Sequence, residues 1–186
     1  MKLNKRRIAE GGLLVLKEGG LENLTIRKLA DHFGIKSASL YYHFRNKQEL
    51  LDYVADGIIQ NAFRPPRPGE EWQGWLLAIA LRLRECMHAY PDGALVCAGA
   101  SPPTDTMTTF QAIYEPIQRA GFPRDPTRFL LFSLIRFTIG WTADEQVAMT
   151  RGTARPQQMN DRAFEFGVRA IILGAQKLVA LGANPV

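Results

Sequence analysis

The sequence predicts an all-α protein in two parts, and three observations lead to that prediction. Apolar residues recur at helical spacing along most of the 186 residues, and no segment alternates with period two for long enough to predict a strand. A composition of 46% hydrophobic and 22% charged residues is that of a globular chain able to bury a core. The proline-rich stretch 64–69 interrupts the helical pattern and is either a domain linker or a tight interhelical loop. We favour the loop, because the helix before it is amphipathic enough to pack on both parts. We place the domain boundary at residue 45, giving domains 1–45 and 46–186.

Local signals place the helices of the first part. A first helix ends at Gly19-Gly20, and Thr25 is a good N-cap for a short second helix over 26–32. Gly34 supplies a sharp turn before a third helix over 37–43. Asn46, followed three residues later by Glu49, resembles a capping box. It opens a helix over 46–63 that connects the two domains.

The second part is predicted to be helical over 72–90, 94–100, 104–120, 125–150 and 161–181. The helix 125–150 is apolar on more sides than one solvent-facing helix requires. The last helix carries small residues at spacings of three and four, namely Ala163, Gly167, Ala170 and Gly174. These features predict a four-helix dimer interface between the two helices and their symmetry mates.

Charge is distributed unevenly along the chain. Residues 1–48 contain 10 Lys and Arg against 4 Asp and Glu, and the remainder is nearly balanced at 13 against 14. A basic first quarter favours an anionic partner for that segment, nucleic acid before membrane. The N-terminus lacks the features of a signal peptide, so we expect a cytoplasmic protein with Cys86 and Cys97 as free thiols.

No pattern in the sequence predicts an enzyme. The three histidines are scattered without metal-ligand spacing, so we expect no metal site and no cofactor. Cys86 and His88 point to different faces of one helix, and Asp144 and Glu145 are adjacent rather than facing. No glycine-rich phosphate loop is present.

The segment from Thr25 to Phe44 predicts a helix-turn-helix, because two short helices flank Gly34. The second helix presents Lys36, Ser37, Ala38 and Ser39 near its N-terminus, the end that enters the major groove of DNA in such motifs. The other interpretation is an ordinary helical hairpin, which the basic charge and the turn spacing make less favourable.

Residues 24–30, Gly34 and 39–51 resemble the DNA-binding domain of the tetracycline-repressor (TetR) family of transcription regulators. The resemblance implies that Thr25, Tyr41 and Lys47 hold phosphates. It also implies that Arg27 and the residues 36–39 face bases. His43 matches a family position that we interpret as structural.

The second part resembles the tetracycline repressor subgroup at Trp72, in the loop 92–102, over 137–146 and over 164–167. The resemblance implies an effector-binding and dimerising domain. The candidate effector-binding residues are Asn61, Leu83, Met87, Cys97, Pro102, Arg136 and Trp141.

Three positions depart from the subgroup that binds magnesium-tetracycline. Cys97 stands where a metal-binding histidine is expected, Ile79 near a drug-binding asparagine, and Arg136 at a second histidine. Thiolate is a poor ligand for magnesium, so we expect a different small-molecule effector. Arg136 sits in an apolar run, so we expect it to be buried and to need a ligand or an acidic side chain as its partner.

The sequence therefore predicts a homodimeric repressor that binds a palindromic operator in double-stranded DNA and is released by a small-molecule effector. A helical ligand carrier or enzyme with an incidental basic head is the alternative. A repressor without a ligand, or one controlled by oxidation of Cys86 or Cys97, is a third possibility.

Overall fold

The computed structural model describes residues 3–101, 103 and 107–182. Within these residues the chain forms nine helices and no strand. The helices are α1 (Lys5–Asn23), α2 (Ile26–Phe33), α3 (Ser37–Tyr41), α4 (Lys47–Gln60), α5 (Trp72–His88), α6 (Gly93–Ala98), α7 (Met107–Arg119), α8 (Arg124–Thr150) and α9 (Gln157–Ala180). The all-α prediction is confirmed.

The helix starts predicted from capping residues are confirmed. The Thr25 hydroxyl accepts from the backbone N–H of Lys28 at 3.2 Å, and the Asn46 side chain accepts from the N–H of Glu49 at 2.8 Å. The backbone of α1 leaves helical geometry at Gly19 and Gly20, where φ is −163° and 71°. One further turn then carries α1 to Asn23.

Several helix ends differ from the prediction. The third helix ends at Tyr41 instead of residue 43, because the chain must reach the extended backbone of Asn46 (φ −158°, ψ 174°) that caps α4. Helix α4 ends at Gln60 instead of residue 63. Helix α9 begins at Gln157 instead of residue 161, directly after Pro156, and proline favours a helix start. Part of the predicted helix 104–120 lies outside the described residues, which resume at Met107.

Two hydrophobic cores hold the helices together. The first joins α1–α4 to α5, α6 and α8, so that Leu50 and Ile58 of α4 share one cluster with Leu83 and Ile139. The second joins α5, α7, α8 and α9 around Trp75 and other apolar side chains. Because α4 belongs to the first core, a change in the packing of α5, α6 or α8 reaches the N-terminal helices through buried contacts.

The stretch between α4 and α5 is a tight loop, as predicted. Arg64 forms two hydrogen bonds with Glu70 at 2.5 and 2.6 Å, and the backbone N–H of Arg67 donates to the same carboxylate at 2.8 Å. The indole N–H of Trp75 donates to the carbonyl of Arg64 at 2.9 Å. These hydrogen bonds fix the position of the start of α5.

In the part of the chain that the structure describes, no helix combines the length and apolar character needed to cross a lipid bilayer.

Candidate DNA-binding and effector-binding sites

The turn between α2 and α3 depends on Gly34. Its φ of 64° is in the left-handed region, and its N–H bonds to the carbonyls of Ala30 and Asp31. The N–H of Ile35 also donates to the carbonyl of Ala30, at 3.0 Å. Glycine adopts this conformation at little cost, which explains the sharp reversal that sets α3 against α2.

Buried side chains fix the orientation of α3. Leu29, Ala30, Leu40 and Phe44 are each at most 1% exposed. Leu40 is the buried residue of the five-residue helix α3, so the other α3 side chains can face outward. The structure thus presents α3 as a short surface helix on a rigid support.

Six of the eight predicted DNA-binding residues are exposed. They are Arg27, Lys36, Ala38, Ser39, Tyr41 and Lys47, whereas Thr25 and Ser37 are half-buried. Tyr41 is 58% exposed, and its neighbour Tyr42 is 89% exposed. Among the described residues, Arg27, Lys36 and Lys47 form no ion pair, so their charges are available to an anionic ligand.

The start of α4 is tied to α1. The ammonium of Lys5 donates to Glu49 at 2.6 Å, and the other carboxylate oxygen of Glu49 accepts from the N–H of Arg45 at 2.7 Å. The hydrogen bond to Lys5 lowers the pKa of Glu49, which keeps the carboxylate charged. These contacts place Lys47 beside the helix-turn-helix.

Three of the predicted effector-binding residues lie in one place. Leu83 and Met87 of α5 and Cys97 of α6 are at most 4% exposed and belong to the first core, together with Ile139 of α8. Burial raises the pKa of the Cys97 thiol to about 12, so this side chain is a neutral thiol at physiological pH. Cys97 packs among the apolar side chains of the first core.

The structure does not bring the other four candidates to this core. Arg136 is exposed, so the expectation of a buried charge that needs a partner is wrong. Asn61 is exposed at the C-terminal cap of α4, where its amide donates to the carbonyl of Gly57 at 2.8 Å. Trp141 packs in the second core, and Pro102 lies outside the described residues. Residues of α8 lie on different sides of this helix. Ile139 faces the first core, Trp141 faces the second core, and Arg136 is exposed.

A buried ionic network joins α5, α8 and α9, and sequence reasoning missed it. The guanidinium of Arg84 donates to both carboxylate oxygens of Glu145, at 2.5 and 2.8 Å, and to Asp161 at 2.7 Å. Glu145 also accepts from the indole N–H of Trp141 at 2.9 Å, and lies 2.7 Å from Nε2 of His88. Arg84 and Glu145 are 7% and 5% exposed.

Two opposing effects act on Glu145. Burial raises its pKa, but the hydrogen bonds from His88 and Arg84 and the charge of Arg84 lower it to about 2. The carboxylate is thus ionised and fully bonded. One feature of the sequence could have indicated this network. Arg84 lies between Leu83 and Met87 on an apolar helix face, and a buried arginine requires an acidic partner.

Helix α6 is fastened at both of its ends. At its start, Gln146 of α8 accepts from the N–H of Ala94 at 3.1 Å and donates to the carbonyls of Met87 and Tyr90 at 3.2 and 2.9 Å. Asp92, just before α6, accepts from the N–H of Leu21 in α1 at 3.0 Å.

The C-terminal end of α6 is bonded to α4. The Gln48 amide donates to the carbonyl of Gly99 at 2.9 Å, and the carboxylate of Asp52 accepts from the N–H of Ser101 at 3.0 Å. Helix α6 therefore connects the core around Cys97 to both helices that carry the helix-turn-helix.

The outer faces of α8 and α9 form an apolar groove of about 460 Å³. Phe129 and Leu178, which line it, are 48% and 56% exposed, and Gly174 has open space around its α-carbon. The small residues of α9 do not all face this groove. A side chain at Gly167 would meet the ring of Phe137 of the same chain at 2.4 Å, whereas Ala170 and Gly174 face the groove.

Both parts of the chain match known protein families. Residues 8–54 match the family described as bacterial regulatory proteins, tetR family, and residues 65–161 match the tetracyclin repressor-like C-terminal domain. The tetracycline repressor protein class A from transposon 1721 of Escherichia coli is 34% identical over 198 residues, which cover 95% of this chain and 92% of that protein.

Two solved structures share the fold over nearly the whole chain. TetR (class A) in complex with 5a,6-anhydrotetracycline and magnesium is 32% identical with a TM-score of 0.78, covering 94% of this chain and 99% of that one. BioQ with its double-stranded DNA operator is 25% identical with a TM-score of 0.73, covering 94% and 98%. These relatives are regulators and not enzymes, which removes the alternative of a helical enzyme. The chain belongs to the tetR family of bacterial regulatory proteins and is a DNA-binding transcription regulator.

Proposed function

We propose that this protein represses transcription by binding a palindromic operator as a homodimer, and that an apolar, metal-free effector in the first core releases it. The observation that carries the DNA part is the set of unpaired, exposed cations around a helix pair whose turn is fixed by Gly34. A protein that regulates bacterial transcription in this way acts in the cytoplasm, where the DNA is.

The predicted DNA-binding residues form two groups in this proposal, one for phosphates and one for bases. Thr25, Tyr41 and Lys47 bind phosphates and set the register of the protein on the duplex, because backbone contacts carry little sequence information. Arg27 and the residues 36–39 face base edges, and Lys36 has the length and charge to reach an acceptor in the major groove. The two heads of a dimer must be about 34–36 Å apart to enter successive major grooves.

The residues around Cys97 in the first core, which we call the effector core, determine which effectors can bind. Leu83, Met87 and Cys97 offer apolar surface and a neutral thiol, and magnesium prefers oxygen ligands. Arg136, being exposed, supplies no buried charge for an anionic ligand. We therefore assign an uncharged, predominantly apolar effector to this chain rather than magnesium-tetracycline.

Release of DNA follows from the connections of α6. An effector beside Cys97 must displace α6 relative to α5 or α8, and α6 is bonded to α1 through Asp92 and to α4 through Gln48 and Asp52. A shift of α6 thus changes the separation of the two DNA-binding heads. The effector acts by binding one of two arrangements more tightly, and its effect is limited to that difference in affinity.

The DNA part of this proposal is tested by selecting duplexes from a random pool with the purified protein and measuring affinity at several salt concentrations. We expect a palindromic consensus and nanomolar, salt-sensitive binding. Weak binding without sequence preference would instead favour a ligand carrier with a basic head.

The effector part is tested by tetracycline fluorescence titrations with and without magnesium. We expect neither condition to give tight binding, because Cys97 stays a neutral thiol. Submicromolar binding that requires magnesium would contradict the proposed effector class and would leave the DNA-binding proposal unaffected.

A further inference from the structure

One row of exposed side chains follows α8 along most of its length. Its members are four residues apart, namely Arg128, Phe132, Arg136, Gly140 and Asp144. Residues at this spacing form a ridge, and two helices commonly pack with the ridge of each in a groove of the other. The ridge borders the apolar groove between α8 and α9, because Ser133 lines that groove three residues before Arg136. It therefore extends the exposed surface of the groove along α8.

The glycine in this ridge has no packing reason within its own subunit. A β-carbon at Gly140 would meet no atom within 4 Å, so an alanine would fit. Alanine also stabilises the interior of a helix relative to glycine. Glycine is explained if another backbone approaches α8 closely at this point. Because the subunit leaves this side of α8 open, the approaching backbone belongs to another chain.

Two charges on the ridge lack a partner in the single chain. Arg128 pairs with Asp125 at 3.5 Å, but Arg136 and Asp144 form no hydrogen bond or ion pair with any residue that the structure describes. Neither has an opposite charge three or four residues away on α8. They are eight residues apart, about 12 Å along the helix, which is too far for them to pair with each other.

The order of these groups makes the ridge complementary to itself. A positive charge lies four residues before Gly140 and a negative charge lies four residues after it. A two-fold axis beside Gly140 reverses the direction of the second helix and sets each charge opposite its counter-charge. In a two-fold interface both subunits use the same patch, so a second copy of this chain fits the ridge.

We propose that α8 of each subunit packs on α8 of the other with the two-fold axis beside Gly140, and that Arg136 forms an ion pair with the partner's Asp144. The symmetry produces this pair twice. The inference rests on the homodimer proposed above, and it adds the residues that select a second copy of this chain as the partner. A related chain without this order of charges would place like charges together and would be rejected.

Single charge reversals of the full chain test the pairing by sedimentation equilibrium. Arg136→Asp and Asp144→Arg should each raise the Kd of the dimer at least about a hundredfold, because both symmetric ion pairs become like-charge contacts. Both side chains are exposed, so each variant subunit should fold. An equimolar mixture of the two variants should dimerise nearly as tightly as the wild type, since every charge then faces its opposite. Native mass spectrometry should identify the product as the heterodimer.

The double variant and a matched pair on α7 are the controls. The chain that carries both Arg136→Asp and Asp144→Arg should dimerise with itself but not with the wild type. Glu115→Arg and Arg119→Asp make the same charge changes at exposed positions four residues apart on α7, and each should dimerise like the wild type.

Two results would overturn the pairing while leaving the homodimer intact. One is a single variant of the ridge that dimerises as tightly as the wild type, and the other is a mixture that dimerises as weakly as its components alone. A wild type that stays monomeric at high micromolar concentration would instead overturn the homodimer itself, and this pairing with it.

Discussion

At the scale of single residues, we expect Lys36 and Lys47 to have different roles in DNA binding although both are exposed, unpaired lysines. Lys36→Ala should relax preference at one base position in each half-site, with about 1–3 kcal/mol of discrimination lost. Lys47→Ala should weaken binding to all sequences alike, because a phosphate contact does not specify. Binding-site selection with each variant measures the difference, and an unchanged consensus for Lys36→Ala would contradict the base-reading role.

Glu145 makes its contribution to stability through a buried charge. Glu145→Gln leaves Arg84 with Asp161 alone, so we expect a loss of about 3 kcal/mol in the free energy of unfolding at neutral pH. Glu115→Gln, which removes an exposed pair with Arg119, should cost less than about 1 kcal/mol. Urea denaturation of both variants and the wild type gives the comparison.

The same carboxylate predicts how stability depends on pH. Its pKa is about 2 in the folded chain against an ordinary value of 4.5, so its stabilisation is complete above pH 4.5 and is lost as the pH falls toward 2. The wild type should therefore lose its advantage over Glu145→Gln in that window. A stability difference that stays constant from pH 5 to about pH 2.5 would show that another group is responsible.

At the scale of elements, α6 tolerates a side chain at one glycine and not at the other. A β-carbon at Gly93 would lie 2.3 Å from the backbone carbonyl oxygen of Met87, whereas one at Gly99 meets nothing nearer than 4.0 Å. Gly93→Ala should destabilise the protein by about 1–3 kcal/mol and Gly99→Ala should not. Thermal unfolding of the two variants checks this, and equal melting temperatures would mean that the turn before α6 relaxes freely.

The elements also show what the sequence can predict. Thr25, Gly34 and Asn46 act on neighbours within four residues, so their caps and the α2–α3 turn could be predicted from local pattern. The contact of Asp92 with Leu21 joins residues 71 positions apart, and no local rule supplies such a pair.

The sequence could not show which candidate effector-binding residues lie together, for the same reason. The side of α8 that each residue faces depends on how α8 packs, which buries Ile139 in the first core, turns Trp141 to the second core and leaves Arg136 exposed. An apolar helix with no single polar face gives no sequence signal for that rotation. The Arg84–Glu145 pair escaped prediction because its members are 61 positions apart.

At the scale of the whole molecule, we expect a dimer to bury the apolar groove between α8 and α9. Phe129 and Leu178 are about half-exposed in the single chain, and close approach of a partner helix is possible where Ala170 and Gly174 leave the backbone uncovered. We infer that this groove is the dimer interface, formed by two helices from each chain.

Gly174→Arg tests this interface without disturbing the subunit. Its β-carbon meets no atom within 4 Å in the single chain, so the subunit should fold, but the long charged side chain would separate the two copies. Gly74→Arg, at an exposed glycine of α5 with equally open surroundings, is the control and should remain dimeric. In sedimentation velocity at micromolar concentration we expect Gly174→Arg to be a monomer that has lost tight binding to the palindrome while keeping weak, salt-sensitive binding to DNA, because one head alone engages a single half-site. A Gly174→Arg protein that stays dimeric and binds the palindrome as tightly as Gly74→Arg would place the interface elsewhere on the molecule.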